Sequence, residues 1–285
     1  MSSTQAVAGT FPGTKDPQGY NNANPDITKA RLIKGATYKD LGTILVCPTR
    51  SDGNLHGKVA DAINNAIKPM NAPFFKFPFD SIRIGGHEVG RAYDCALANI
   101  AGNEGLRKWP FLLTAEHDNL PQPDGLLKLQ AAMYANADYD EDGRIIRDAD
   151  TGILRFHFLG IGGLYYTKSG PGFGEVMSQP MIYGHPQEVP VNFRPQLPIP
   201  DSLQECRGIA MGWSIWNLSA LLNDKRLGPP YFETKNEWNS ASGVVMGTQD
   251  LTFCAKAGLL GYRFAVDTSC AVGHMDIETG SELVW

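Results

Sequence analysis

The first half of the chain repeats one pattern, in which a short apolar run is followed by apolar residues at helical spacing. Short apolar runs predict strands at 43–46, 74–79 and 111–113. Apolar residues at helical spacing follow each run and predict helices at 59–67, 89–100 and 123–133. Strands that are joined through helices run parallel, with helices on both faces of the sheet. The pattern therefore predicts an α/β fold with a mostly parallel sheet.

The second half of the chain has a different pattern. Asp142-Gly143 predicts a hairpin turn, and residues 170–200 hold many prolines and predict a long irregular segment. Helices are predicted at 214–222 and 248–259, and strands at 263–266 and 269–272. Residues 1–40, rich in Gly, Pro, Asn, Ser and Thr, predict an irregular arm. We expect one catalytic domain over 41–285, with a nucleotide-binding half at 41–166 and an acceptor half at 167–285.

Composition narrows the classes of partner. A net charge of -5 and a pI near 5.7 argue against nucleic-acid binding by bulk positive charge. The five cysteines are scattered, without a C-x-x-C pair, which fits a reducing compartment. No apolar stretch has the length of a membrane span, and the first residues lack a signal-peptide pattern. We expect a cytoplasmic protein with no membrane partner; its oligomeric state stays open.

Two carboxylates follow the third predicted strand. In an extended chain Glu116 and Asp118 point the same way, and Mg²⁺ or Mn²⁺ binds such oxygen ligands together with phosphate oxygens. A solvated acidic loop is the alternative interpretation.

Asp250 and His274 each have two interpretations. Asp250 either favours the positive end of a helix capped by Thr248, or acts as the general base for an acceptor hydroxyl. His274, after an apolar strand, is either a surface histidine or a metal ligand.

Short motifs occur in a characteristic order over residues 41–276. They are Cys47-Pro48-Thr49-Arg50, Val89-Gly90-Arg91, Glu116-x-Asp118, Gly162-Gly163-Leu164-Tyr165-Tyr166, Gly212-Trp213, Gly247-Thr248-Gln249-Asp250 and Gly261-Tyr262-Arg263 through Gly273-His274. By this order the chain resembles the GT-A glycosyltransferases, and family 2-like enzymes most. The resemblance implies a Rossmann-like GT-A sheet with a smaller, mixed C-terminal acceptor region.

The resemblance also implies a role for individual residues. The nucleotide would be contacted by Pro48, Thr49 and Arg50, its base by Asp80 and Arg91, and its ribose by Glu116. Asp118 and His274 would bind Mn²⁺ or Mg²⁺, and Asp250 would be the catalytic base of an inverting transfer. Gly212, Trp213 and Gln249 would contact the acceptor. Two positions depart from the family pattern: Glu116 replaces an aspartate, and Ala92 stands where an asparagine commonly follows the arginine.

The expected function is metal-dependent transfer of a sugar from a nucleotide-sugar, with a UDP-sugar as the favoured donor. The acceptor is open among a glycan, a protein, a small molecule and a modified nucleobase. A nucleotidyltransferase and a non-catalytic carbohydrate-binding or viral structural protein are the alternatives. An aromatic group could form an acceptor platform or belong to the core: Trp213, Trp216, Tyr231, Phe232 and Trp238.

Overall fold

A computed structural model describes residues 33, 36, 38–50, 53–67, 79–166, 179–189, 191–239, 243–277 and 282–283. Most of the predicted arm and residues 74–78 of the predicted second strand lie outside the described residues. The strands are β1 (Thr43–Thr49), β2 (Phe79–Gly85), β3 (Phe111–Ala115), β4 (Asn119–Pro121), β5 (Gly160–Leu164), β6 (Ile182–Tyr183), β7 (Leu203–Cys206), β8 (Gly208–Ile209), β9 (Trp213–Asn217), β10 (Lys235–Asn239), β11 (Gly243–Gly247), β12 (Phe264–Met275) and β13 (Glu282–Leu283). The α-helices are α1 (Gly57–Ala66), α2 (Val89–Gly102), α3 (Gly125–Ala135), α4 (Leu218–Asn223) and α5 (Gln249–Leu259). Two short 3-10 helices lie at Tyr38–Leu41 and Leu106–Lys108.

The main sheet has the order β13-β12-β5-β9-β3-β1-β2. Parallel pairs join β1 to β2, β1 to β3, and β5 to β12, whereas β9 runs antiparallel between β3 and β5. Strands β1, β2, β3, β5 and β12 therefore point in one direction. The prediction of a mixed α/β fold with a mostly parallel central sheet is confirmed.

Helices pack on both faces of this sheet, because the side chains of its strands alternate between two apolar clusters. Leu45 and Cys47 of β1 belong to the cluster that includes α1 and α3. Ile44 and Val46 of β1 belong to the cluster that includes α2, α4 and α5. An interior strand buried on both faces contributes to both layers of the core, as parallel strands in α/β proteins do.

Residues 214–222 do not form the predicted helix. Trp213–Asn217 is strand β9, and the helix α4 starts only at Leu218. Every residue of β9 is buried, and the strand pairs with β3 on one side and β5 on the other. A strand that is buried on both faces has apolar residues at successive positions, so its sequence lacks the period of two that marks a half-buried strand. Such a sequence resembles that of a buried helix segment.

The two strands predicted at 263–266 and 269–272 are one strand, β12, with a break in its register. The pairing with β5 shifts between Asp267 and Ala271. Beyond this break Ala271 still pairs with Leu164 of β5. From Val272 onward the strand also pairs with β4, where Val272, Gly273 and His274 lie opposite Pro121, Leu120 and Asn119. The irregularity therefore brings the end of β12 to the loop that follows β3.

The helix predicted at 248–259 is confirmed as α5, and the turn at Asp142-Gly143 is confirmed by the bridge that pairs Tyr139 with Ile145. All five cysteines are free thiols. No helix in the described ranges has the length and apolar character that a membrane crossing requires.

Candidate functional site

The predicted site residues gather, with one exception, at the edge where the parallel strands end. The last residues of β1 and β2, Thr49 and Gly85, are paired there, and β3 ends at Ala115 opposite Trp213. Because β9 runs antiparallel, its first residue lies where its neighbours finish. Ligands of open α/β sheets bind at this edge, since the loops that follow the strands converge there.

Asp80 is the exception. It was predicted at the end of the second strand, but it is the second residue of β2 and pairs with Ile44 near the start of β1. Gly85, at the strand end, is five positions further along, which is about 16 Å in an extended chain. The predicted position of Asp80 at the end of the second strand is therefore wrong.

Glu116 and Asp118 lie in the loop directly after β3. The N–H of Glu116 donates to the carbonyl oxygen of Gly212 at 3.2 Å, which holds this loop against the start of β9. Burial raises the pKa of the Tyr93 phenol, and the negative charges of Glu116, Asp250 and Asp118 raise it further. The three acids that the sequence analysis singled out therefore act on one small region around Tyr93.

The neighbouring buried groups respond to the same charges. Burial raises the pKa of Tyr165, with smaller increases from Glu116 and Asp250. Burial also raises the pKa of Cys47 to about 12, and Glu116 and Asp118 add to it while Arg83 opposes it. Tyr93, Tyr165 and Cys47 are thus buried groups that stay protonated at neutral pH.

His274 and Asp118 lie on adjoining segments. The N–H of Met275 donates to the carbonyl oxygen of Asp118 at 2.8 Å, and His274 pairs with Asn119 across β12 and β4. The imidazole is buried and meets the Tyr165 ring edge-on, with 5.2 Å between the ring centroids. The sequence separates the two candidate ligands widely, and the β4–β12 pairing brings their segments together.

A carboxylate and an imidazole are the two side-chain types that the sequence analysis predicted as ligands of a divalent ion. Carboxylate suits Mg²⁺ and Mn²⁺, and adding an imidazole favours Mn²⁺. Within the described part of the chain, no group of three or more His, Cys, Asp or Glu side chains could hold a metal ion by itself. Phosphate oxygens would have to complete the coordination, as they commonly do for such ions.

Asp250 is the second residue of α5 and is half-buried. Burial raises the pKa of its carboxyl group, while hydrogen bonds from Thr248 and from the N–H of Leu251, at 2.8 Å, oppose that rise. Thr248 occupies the N-cap position, but its side chain makes no capping hydrogen bond. Asp250 is thus at the positive end of a helix, as the capping interpretation requires, and has the raised pKa that a general base requires.

The starts of α2 and α5 touch each other beside these acids. A Cβ on Gly90 would overlap the carbonyl oxygen of Phe232, so only glycine fits here, and it would lie 3.1 Å from the Cβ of Gln249 in α5. Arg91, the next residue of α2, has an exposed side chain, and Gln249 is half-buried. Both predicted contact residues are therefore near the same edge of the sheet.

Pro48, Thr49 and Arg50 also lie at this edge. Pro48 and Thr49 are buried, Arg50 is exposed, and the hydroxyl of Thr49 has no hydrogen-bond partner among the described residues. A Cβ on Gly85 would lie 2.6 Å from the carbonyl oxygen of Arg50, so β2 and the loop after β1 approach closely.

Gly212 and Trp213 are buried, which changes their interpretation. A Cβ on Gly212 would lie 2.5 Å from Oδ1 of Asn119 and 2.7 Å from the Tyr165 hydroxyl oxygen, so packing alone requires glycine.

Trp213 is 0% exposed and belongs to the apolar core. Trp216 and Phe232 are equally enclosed. These three rings therefore present no stacking face to an acceptor, and the prediction of a platform is wrong for them; the side chain of Trp238 lies outside the described residues.

Sequence reasoning missed two residues of this region, Asn119 and Tyr165. Asn119 follows Asp118 directly, and Tyr165 lies within the motif of residues 162–166 but was given no role of its own. The sequence pattern did not predict β4, the short strand in which Asn119 is buried opposite His274.

No protein-family model matches the chain, and no curated protein sequence matches it. Among solved structures, the crystal structure of A197 from STIV is similar to this chain, with a TM-score of 0.50 and 13% sequence identity. The match covers 85% of this chain and 93% of A197. At this identity the likeness concerns the fold alone.

Proposed function

We propose that the protein is a GT-A type glycosyltransferase that moves a sugar from a nucleotide-sugar, preferably a UDP-sugar, to an acceptor with inversion at the anomeric carbon. One observation carries the proposal. Glu116 and Asp250 both raise the pKa values of the buried Tyr93 and Tyr165, and Asp118 raises that of Tyr93. His274 is paired with Asn119, the residue after Asp118, at the edge where the parallel strands end.

Each side chain has a distinct role in the proposed reaction. Asp118 and His274 would hold Mn²⁺, which when bound neutralises charge on the diphosphate leaving group. Glu116 would accept hydrogen bonds from the ribose hydroxyls, and Pro48, Thr49, Arg50 and Arg91 would line the nucleotide.

Asp250 would take the proton from an acceptor hydroxyl while that oxygen bonds to the anomeric carbon. The bond from this carbon to the diphosphate oxygen breaks in the same step, so the electron pair leaves with the diphosphate. Single displacement inverts the anomeric carbon and forms no covalent enzyme intermediate. The raised pKa of Asp250 makes its carboxylate a stronger base than an ordinary aspartate.

A thermal-shift titration with Asp118→Ala tests this proposal. Mn²⁺ together with UDP-glucose, UDP-galactose or UDP-N-acetylglucosamine should raise the melting temperature of the wild type by roughly 5 °C at about 100 times Kd. The variant should lose this shift and any Mn²⁺-stimulated turnover. Asp142→Ala, at an exposed position in the hairpin turn, is the matched control.

Two results would contradict the proposal. One is a wild type that no nucleotide-sugar stabilises, with or without Mn²⁺. The other is an Asp118→Ala variant whose shift and turnover match those of Asp142→Ala. Full activity in EDTA would contradict the proposed role of the metal ion, and the function would then be a sugar transfer that needs no metal.

A further inference from the structure

Asn119 has a buried side chain whose hydrogen-bonding groups are unused. The residue is 0% exposed, and neither Oδ1 nor Nδ2 has a hydrogen-bond partner in the described parts of the chain. Buried amides in folded proteins are nearly always hydrogen-bonded, because leaving them unpaired is costly. This amide therefore needs a partner from outside those residues.

The groups around the amide form one polar corner. Oδ1 of Asn119 and the hydroxyl oxygen of Tyr165 face the same point, where Gly212 lacks a side chain. The Tyr165 hydroxyl accepts the N–H of Gly212 at 2.7 Å, so its own proton can still be donated. His274 lies opposite Asn119 in the antiparallel β4–β12 pair, and cross-strand neighbours share a face of the sheet.

The chemistry of an amide limits what the partner can be. Oδ1 accepts hydrogen bonds and Nδ2 donates them, so a group that does both satisfies the whole side chain. A metal ion would use the oxygen and leave Nδ2 unpaired. A carboxylate or phosphate would pair with Nδ2 and repel Oδ1. A hydroxyl group both donates and accepts, and it can replace a water molecule without losing hydrogen bonds.

We propose that Asn119, together with the hydroxyl of Tyr165, binds a hydroxyl group of the transferred sugar. The inference rests on the proposed function, in which the preceding residue, Asp118, lies at the diphosphate. The sugar is bonded directly to that diphosphate, so its hydroxyls are the ones that come within reach of Asn119. The same corner adjoins Gly212, the residue directly before β9.

A comparison of nucleotide-sugar with bare nucleotide separates this role from a structural one. We expect Asn119→Leu to weaken the binding of the preferred UDP-sugar about tenfold to a hundredfold, measured by calorimetry in Mn²⁺. The affinity for UDP, which has no sugar, should stay within about threefold of the wild type. Asn119→Asp keeps the shape and the acceptor but loses the N–H donor, so it should also reduce sugar binding selectively.

Gln130→Leu is the matched control. Gln130 is another fully buried amide, and its Oε1 has no partner among the described residues. Its Nε2 donates to the carbonyl oxygen of Leu41 and to the hydroxyl of Thr43, at the opposite end of β1 from the site. This variant should lower stability and leave the ratio of UDP-sugar to UDP affinity unchanged.

An unchanged ratio in both Asn119 variants would overturn the inference, as would an equal loss of UDP and UDP-sugar binding. If Asn119→Leu does not fold, Asn119→Asp decides by the same ratio. A further measurement uses UDP-sugars that each lack one hydroxyl. One of these analogues should bind the wild type more weakly than the complete UDP-sugar does. The Asn119 variants should bind that analogue and the complete UDP-sugar with equal affinity. A wild type that binds no nucleotide-sugar contradicts the proposed function itself, whereas an unchanged ratio contradicts only this role of Asn119.

Discussion

Replacing Asp250 by asparagine separates its two interpretations. The asparagine side chain has nearly the same shape and can still accept the N–H of Leu251 through its oxygen. It carries no negative charge and cannot take a proton from an acceptor hydroxyl. The substitution therefore removes the base and leaves most of the local packing in place.

The expected effect on stability follows from the raised pKa of Asp250. A carboxyl group whose pKa is higher in the folded state stabilises the fold when protonated and loses that contribution as pH rises through the folded pKa. At pH 7 the ionised group is thus mildly unfavourable, and a neutral asparagine removes that cost. The lost interaction with the helix dipole is worth about 0.3–1 kcal/mol in the other direction. We expect the free energy of unfolding to change by less than about 1 kcal/mol.

The expected effect on rate is much larger. Loss of a general base lowers the transfer rate by roughly a hundredfold to ten-thousandfold, while Mn²⁺ and donor binding persist. The acid limb of the wild-type kcat/KM profile should lie at higher pH than the ordinary aspartate value of about 3.9, because burial raises the pKa of this carboxyl.

Asp94→Asn is the matched control for this variant. Burial also raises the pKa of Asp94, and its carboxylate accepts the N–H groups of Tyr231 and Phe232. Steady-state transfer, urea unfolding and NMR of the product anomer would be measured for both variants. An Asp250→Asn enzyme within about threefold of the wild type, or a product that retains its configuration, would refute the role as base.

Two further predictions concern stability. Gly212→Ala should lose about 1–3 kcal/mol in urea unfolding, because its Cβ would lie 2.5 Å from Oδ1 of Asn119. Gly258→Ala in α5, whose Cβ meets nothing within 4 Å, should instead gain about 0.4–1 kcal/mol, and equal effects of the two variants would contradict the packing explanation. Hydrogen bonds from Arg226 hold the pKa of Asp224 well below its usual range, so its ionised form stabilises the fold above pH ~4 and less below it. Asp224→Asn should lower the melting temperature at pH 7 by calorimetry, and a deficit that does not shrink between pH 4 and pH 2 would contradict this linkage.

The alternation of strands and helices in the first half was readable from the sequence. Helices α1, α2 and α3 keep one apolar side at helical spacing, because each covers one face of the sheet and exposes the other side to water. The acidic loop after β3 was recognisable for a related reason, since two acids directly follow a fully buried apolar run. The local pattern of apolar residues is enough to predict a helix or strand when one face of that element is buried and the other is in contact with water.

Strand β9 could not be identified in this way. Its residues are buried on both faces between β3 and β5, so the pattern of apolar positions carries no period. Asp80 was misplaced because the described second strand runs to Gly85, beyond the apolar run that predicted its end. Register along a strand depends on the neighbouring strand, which the local sequence does not contain.

The sequence by itself determined the α/β class, the helix faces and the types of side chain available for chemistry. Only the tertiary structure decided which of those side chains meet. The shift in β12 between Asp267 and Ala271 turns its end toward β4, and that pairing brings His274 opposite Asn119 and its strand against Asp118. These contacts join residues far apart in the chain, and they form only when the sheet is complete, because strand pairing and burial act between segments and not within them.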